Sequence, residues 1–288
     1  NYHLVAYVGD DDVSSYLKKI SKNIDLEPKN AKVAMNNNVL VATEPSVIGY
    51  VFDQASALSP IKDAVASGQA QTIDLAVKEV QPDVSENNLA SLGIQEIIGS
   101  GSTNFKGSTE ARKVNVANGA RIVNGTLIKP GEEFSTVGTI GNVDASTGFV
   151  LGLVIKNNKT QPEYGGGLCQ ISTTLFRTAL NTGLKVTERR NHAYRVHYYE
   201  TDGDGKAIGP GLDSTIYGPH PDLRFVNDTG HYILIQSRIE KTKLTFDFWG
   251  TKDGRVSTID GPHVSDVKPA PAAQYINTDT MFVGEKEQ

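Results

Sequence analysis

The stretch Glu163-Tyr164-Gly165-Gly166-Gly167-Leu168-Cys169-Gln170-Ile171-Ser172-Thr173-Thr174-Leu175 decides how this 288-residue chain is read. Three consecutive glycines permit positive φ and close approach of a ligand to the backbone. Leu168, Ile171, Leu175 and Leu180 then recur at near-helical spacing and Gly183 supplies a stop, which predicts a helix over Leu168–Leu180. Cys169 therefore stands within a residue or two of a helix start. A thiol there feels the positive end of the helix dipole and unspent N–H groups, both of which favour thiolate. N–H groups around residues 168–170 are also placed to hold an oxyanion if that thiolate attacks a carbonyl. The plainer reading of the same residue is a small buried hydrophobe packing a tight turn.

Outward from this stretch the pattern is α+β. Upstream, Phe149–Lys156 is a continuous apolar run that predicts a buried strand. Asn124-Gly125 and Lys129-Pro130-Gly131 read as turns, and a helix is expected from Ser108 to about Gly119. Downstream, Leu184–Arg190 and His192–Tyr199 read as strands, Asp202–Gly205 as a turn, and Leu223–Val226, Tyr232–Ile239 and Leu244–Trp249 as a β-meander. Near the start, Asp10-Asp11-Asp12 precede Val13, Tyr16, Leu17 and Ile20, one helical face. Ala31–Met35 and Val39–Thr43 flank three asparagines as a hairpin, and Ser59-Pro60 reads as a cap with proline at the first helical position, closed by Gly68. A strand is expected over Thr72–Val80 and a short helix from Ser85 to Gly93. Gly99-Ser100-Gly101-Ser102-Thr103 has linker composition. The expected organisation is a small α+β domain over 1–97, a mixed α/β domain over 98–254 with a mainly antiparallel sheet and a central Cys-bearing helix, and an extended tail or linker over 255–288.

Composition narrows the function. Lys plus Arg is 28 against 33 Asp plus Glu, a net charge of −5, which argues against a nucleic-acid binder or a polybasic membrane-surface protein. No stretch approaches the roughly 20 apolar residues of a membrane span. The chain opens on Asn1 rather than Met, which suggests a trimmed or processed start. A single cysteine closes no intrachain disulfide, and with six scattered histidines it gives no metal-site spacing, so neither metal nor cofactor is expected.

A cysteine nucleophile needs a base, usually histidine. His192 follows Arg189-Arg190-Asn191, and His197 lies five residues on. On one strand an odd offset sets the two imidazoles on opposite faces, so at most one meets Cys169. His192, beside polar and cationic neighbours, is the candidate; His197, between Val196 and Tyr198, reads as sheet packing. Asp213 and Asp222, with Asn191 as a weaker alternative, are candidates to orient the imidazole. Arg224 could grip a substrate carboxylate, or simply pair with Asp222 on a strand. Two Ser-x-x-Lys matches, at Ser15 and Ser265, lack the companion motifs of penicillin-binding enzymes and are set aside.

The second domain resembles the VanW family. The resemblance rests on Pro130-Gly131-Glu132-Glu133-Phe134-Ser135, on Tyr164 to Leu175, on Glu188-Arg189-Arg190-Asn191-His192 and on Asp222-Leu223-Arg224-Phe225-Val226-Asn227, in order over roughly 94–255. The small domain is similar to the peptidoglycan-binding domain often found before VanW domains. The resemblance implies an extracytoplasmic bacterial protein at the cell wall, tethered by an N-terminal anchor. Its partners would be peptidoglycan stem peptides and glycan, with no nucleic acid. Some VanW-domain proteins are regarded as a cysteine class of L,D-transpeptidase. Carried over, Cys169 would be the nucleophile and His192 the base. The family's Gly-x-Asp-Ala-Thr-Val reads Gly211-Leu212-Asp213-Ser214-Thr215-Ile216 here, which keeps Asp213 as the third catalytic residue. Tyr164, Gly165, Gly166, Gly167, Gln170, Arg190, Asn191 and Arg224 are the expected substrate contacts. The alternative function is a non-catalytic wall-binding module; a cysteine amidase or endopeptidase is a third.

Overall fold

The structure is a computed structural model that describes residues 6–69, 72–156, 159–267 and 269. Helix α1 (Asp10–Ile24) opens on three aspartates that complement its dipole, and buries Val13 and Leu17. Strands β1 (Lys32–Asn36) and β2 (Val39–Glu44) form a hairpin that turns through Asn37 and Asn38, both at positive φ, as a two-residue turn matched to strand twist requires. Strand β3 (Gly49–Phe52), helix α2 (Gln54–Ser67) and strand β4 (Val77–Val80) follow, with β3 and β4 antiparallel. The Asp53 carboxylate accepts from the Ser56 N–H and so starts α2 early, leaving Pro60 inside the helix rather than at its head. The strand expected from Thr72 is confined to β4, the stretch that pairs with β3. The helix expected from Ser85 is a single 3₁₀ turn, Leu89–Leu92, ended by Gly93 at positive φ.

The Gly-Ser run is not a linker. It is strand β5 (Glu96–Asn104), and it carries the Cys169 helix on its face. A Cβ on Gly99 would lie 1.9 Å from Thr182 Oγ1, and one on Gly101 2.6 Å from the Thr178 backbone nitrogen. Glycine is there because a helix backbone rests directly on the strand.

Helix α3 (Glu110–Val123) is capped by Thr109, whose hydroxyl accepts from the Arg112 N–H. Strands β6 (Leu127–Ile128) and β7 (Glu133–Ser135) and the short helix α4 (Thr136–Ile140) come next, then β8 (Leu151–Lys156), β9 (Lys159–Tyr164) and α5 (Cys169–Thr182). The chain ends its regular structure with β10 (Lys185–Glu188), β11 (Arg224–Val226), β12 (Ile233–Glu240) and β13 (Lys243–Gly250). One antiparallel sheet has the order β5-β13-β12-β6; another has the order β10-β11-β7. Strand β11 thus leaves the expected meander, and only β12 and β13 form a hairpin. The apolar run Phe149–Lys156 is not a buried strand either. Phe149 is buried, but β8 pairs only with β9, and Leu151 and Leu153 are exposed. The segment expected as a strand over His192–Tyr199 is a loop ending in a 3₁₀ turn, so strand parity does not separate its histidines.

The architecture is α+β. Phe225, Phe246 and Phe248 pack with Ile171 and Leu175 of α5 in the main core. Each such side chain contributes about 1.5–3 kcal/mol by leaving water. A second cluster joins Ala31, Val33 and Leu92 to Leu234 of β12, so the first segment packs on the back of the sheet. Among the described residues no helix is long and apolar enough to cross a membrane, and no group of His, Cys, Asp and Glu could hold a metal ion. Of the expected tail, residues 268 and 270–288 lie outside the described residues, and 255–267 form no element.

Candidate active site

Helix α5 is rich in threonine yet buried along most of its length. It tolerates this because the hydroxyls of Thr174, Thr178 and Thr182 each donate to the carbonyl four residues back, at 2.6, 2.8 and 2.7 Å. Its other face latches the loop that completes the site. Ser172 Oγ donates to Ser214 Oγ at 2.8 Å, Thr173 Oγ1 donates to Ser214 O at 3.1 Å, and the Ser214 N–H lies 3.0 Å from Thr173 Oγ1. Ser214 is thereby fixed one helical turn from Cys169, with Asp213 and Thr215 on either side of it. Two turns along, the buried Arg177 guanidinium donates to the carbonyls of Leu212 (2.9 Å), Ser102 (3.1 Å) and Thr201 (2.9 Å), and to that of Tyr199. Burial lowers its pKa to about 10, so it stays charged at neutral pH.

A cleft of about 420 Å³ opens at the head of α5, with Arg112, Tyr164, Gly167, Cys169, His192 and Thr215 on its walls. Cys169 is half-buried. Its Sγ lies 3.3 Å from Thr215 Oγ1 and 3.7 Å from Ile216 O. His192 Nδ1 is 2.6 Å from Asp213 Oδ2, which also accepts from the His192 backbone N–H at 2.8 Å. With Nδ1 committed to Asp213, Nε2 is the ring atom left for the thiol. Arg189 fixes Asp213 in turn, donating to its carbonyl at 2.8 Å and its Oδ1 at 3.3 Å while stacking on Phe176. The buried Tyr199 ring packs 5.4 Å from the imidazole.

The electrostatics follow from this packing. Burial pushes the Cys169 thiol up, but the hydrogen bond and charge of His192, with help from Thr215 and the Ile216 backbone, bring it below its ordinary value of 9.0. Burial pulls His192 down, but Asp213 and the thiol push it up further, to about 9. Each group therefore favours the charged form of the other, thiolate beside imidazolium. Of the first amides of α5, that of Gln170 donates to Gly167 O, and those of Ile171 and Ser172 both donate to Leu168 O; the Leu168 N–H is taken by Gly165 O. Among the described residues this leaves the Cys169 N–H as the amide of that turn not spent on a carbonyl, and it narrows the expected oxyanion donors to one backbone group.

Residues 111–249 match the family described as "VanW like protein". Over those residues the chain is similar to VanW-like proteins. Residues 1–74 match the family described as "Putative peptidoglycan binding domain". Over 225 residues the chain is 25% identical to the "Uncharacterized protein YoaR" of Bacillus subtilis, covering 78% of this chain and 70% of that protein. Over 176 residues it is 31% identical to the "Vancomycin B-type resistance protein VanW" of Enterococcus faecalis, covering 61% of this chain and 57% of that protein. No solved structure matches the chain.

The matched region brings Cys169, His192 and Asp213 together, with Tyr164, Gly165 and Gly167 on the cleft wall. It does not bring the other expected contacts there. Gly166 packs on β8, where a Cβ would lie 2.6 Å from the Gly152 carbonyl carbon. Gln170 is fully buried, and its amide donates to Thr103 Oγ1 at 2.6 Å. Arg190 is exposed and uses its carbonyl to hold the Thr215 N–H at 2.8 Å. Asn191 lines a separate hollow behind His192 and donates to the His192 carbonyl. Arg224 lies outside the cleft, ion-paired with Glu133, Glu188 and Asp222. Asp222 is fully buried and accepts from Ser135 and the Val137 amide at the head of α4 and from the neighbouring Leu223 amide, so it is not the group that orients His192. His197 is exposed beside Glu200. Sequence reasoning missed Arg112, which stands on the cleft wall; the signal was its place near the start of a helix, 57 residues before Cys169.

The ion pair predicts a pH profile. As pH falls through the depressed Cys169 pKa the thiolate is lost, and as pH rises past about 9 the imidazolium is lost. Alkylation by iodoacetamide is expected to titrate on an acid limb below 9.0, as a property of the coupled pair. In His192→Gln the buried thiol loses its cation and the limb moves to higher pH. The rate at pH 7 then drops about tenfold or more. An unmoved limb would show that the imidazole does not ionise the thiol.

Proposed function

We propose that the chain is a peptidoglycan L,D-transpeptidase that works through a cysteine thioester. The observation that carries the reading is the Cys169–His192–Asp213 alignment at the mouth of the cleft. The cell-wall setting of the VanW-like match and of the peptidoglycan-binding match supports it. The Cys169 thiolate attacks the carbonyl of the third, diamino-acid residue of a tetrapeptide stem. The oxyanion rests on the Cys169 N–H. The C–N bond breaks, the departing D-amino acid takes its proton from His192, and a thioester remains. The side-chain amine of a second stem then attacks that carbonyl, gives a proton to His192, and releases the thiolate. A 3-3 cross-link forms, and no metal or redox partner is required to balance either step. Water in place of the amine gives carboxypeptidase turnover. The first domain would hold glycan or peptide and raise the local concentration of a polymeric substrate.

Intact-mass analysis after incubation with disaccharide-tetrapeptide tests the reading. The expected product is an adduct on Cys169 equal to the stem less its terminal D-alanine, followed by a cross-linked dimer. Tight binding with no adduct would leave a passive wall-binding module. Net loss of existing cross-links would indicate an endopeptidase.

A further inference from the structure

Arg112 is a cation aimed at the cleft with no anion to answer it. Its Nη1 donates to Ser108 Oγ at 2.9 Å, and its Nη2 to Gln170 Oε1 at 2.7 Å and Tyr198 Oη at 3.4 Å. The guanidinium also lies 5.2 Å from the centre of the Tyr198 ring. All of these partners are neutral. Among the described residues no carboxylate reaches ion-pair distance of Arg112, although every other arginine on the walls of this cleft and the hollow behind it pairs with one. The side chain is also held in place from below. A Cβ on Gly167 would come within 2.9 Å of Arg112 Cγ, so the glycine loop leaves room for this arginine as well as for a ligand. The buried Gln170, tied by its amide to Thr103, fixes the fork from the residue next to Cys169.

A guanidinium keeps five N–H donors in one plane, and three neutral contacts leave part of that fork unspent. Gln170 and Tyr198 take both Nη2 hydrogens and Ser108 takes one on Nη1, so a carboxylate meets Nε–H or the other Nη1 hydrogen, and both teeth of the fork once the long Tyr198 contact gives way; a charge with neutral partners favours an anion over any neutral group. Arg112 and Cys169 line the same cleft, and the side chain that fixes the guanidinium belongs to the residue after the thiol, so an anion on Arg112 shares that cleft with a carbonyl seated on Sγ.

We infer that Arg112 forms a carboxylate subsite that holds the C-terminal carboxylate of the residue leaving from the scissile bond. This rests on the transpeptidase reading and deepens it. The enzyme would act on stems that end one residue past the attacked carbonyl, and would discriminate against stems extended or capped there. Gln170 acts in this scheme as a positioning residue for Arg112.

The test uses the full chain as Cys169→Ala, with disaccharide-tetrapeptide bearing a free C-terminal carboxylate, its C-terminal carboxamide, and a stem amidated only on the diamino-acid side-chain carboxylate. Calorimetry is expected to show the free acid binding about 10–100-fold tighter than the C-terminal amide, the range for a charge-assisted pair. Side-chain amidation should change little. Adding Arg112→Gln should erase the difference, and Arg112→Lys should restore part of it. Equal affinity for acid and C-terminal amide with Arg112 intact would overturn the subsite, as would discrimination that survives Arg112→Gln or that follows the side-chain carboxylate. If Arg112→Gln fails to fold, the ligand comparison on the Arg112 protein decides alone. Failure of the subsite leaves thioester formation on Cys169 untouched; absence of both binding and adduct overturns the two readings together.

Discussion

Asp213→Asn is expected to slow acylation of Cys169 by about 10³–10⁴-fold while the protein stays folded. One carboxylate oxygen accepts from both the ring and the backbone of His192, at 2.6 and 2.8 Å, so it sets the tautomer as well as the orientation. An asparagine amide can turn its NH₂ towards Nδ1, which would then have to accept. The proton moves to Nε2, the atom that must serve the thiol, and the base is lost. The imidazolium also loses its counter-charge. Burial, the largest influence on His192, already opposes protonation, and removing the anion lets it pull the pKa below about 9. The alkaline limb of the acylation profile should therefore move down along with the loss in rate, measured by single-turnover mass spectrometry across pH. Asp222→Asn is the contrast. It weakens the head of α4, where Asp222 accepts from an amide and a hydroxyl, and so lowers stability without shifting the limb. Acylation within tenfold of the parent in Asp213→Asn would remove the carboxylate from the mechanism.

The meeting of Cys169 with His192 was legible because local signals agree. A glycine run, a helix start and the polar, cationic residues before the histidine all lie within a few residues of the groups they position, although the strand expected at His192 is a loop. Asp213 was legible only as one of three candidates. What selects it is the hydroxyl latch of Ser172 and Thr173 on Ser214, and no sequence period encodes a contact across 41 or 42 residues. Arg112 carried only a weak signal, its place in the first turn of a helix, since an arginine there looks the same whether it faces solvent or a cleft. Arg224 drew attention for the opposite reason. Its motif suggested a carboxylate grip, and the carboxylates it finds are the protein's own. Element types were mostly readable from periodicity, but environment was not. The run from Val150 to Val154 is apolar enough for a core, yet its strand forms a two-stranded ribbon with Leu151 and Leu153 exposed, the latter on the cleft wall.

The Gly-Ser run is where composition misled most, and it carries the second large expectation. Gly101→Ala is expected to cost about 3 kcal/mol, the upper part of the range for overpacking a filled interior. That corresponds to a fall in melting temperature of about 5–10 °C. The new Cβ would lie 2.6 Å from the Thr178 nitrogen and its hydroxyl, and 2.9 Å from the Thr174 carbonyl oxygen. Helix backbone cannot yield as a flexible side chain does, so α5 must lift off β5 as a body. Cys169 rides at its first position, and the latch from Ser172 and Thr173 to the loop that carries Asp213 must follow the helix or break, so the lift also strains the alignment of the thiol with its base. Iodoacetamide reactivity at neutral pH should fall together with stability. Gly230→Ala separates this from a general glycine effect: nothing lies within 4 Å of its new Cβ, and its backbone is not among those at positive φ, so both readouts should stay at the parent value. An unchanged melting temperature in Gly101→Ala would mean that the helix does not rest on the strand, and the geometry that delivers the thiol to the cleft would need another support.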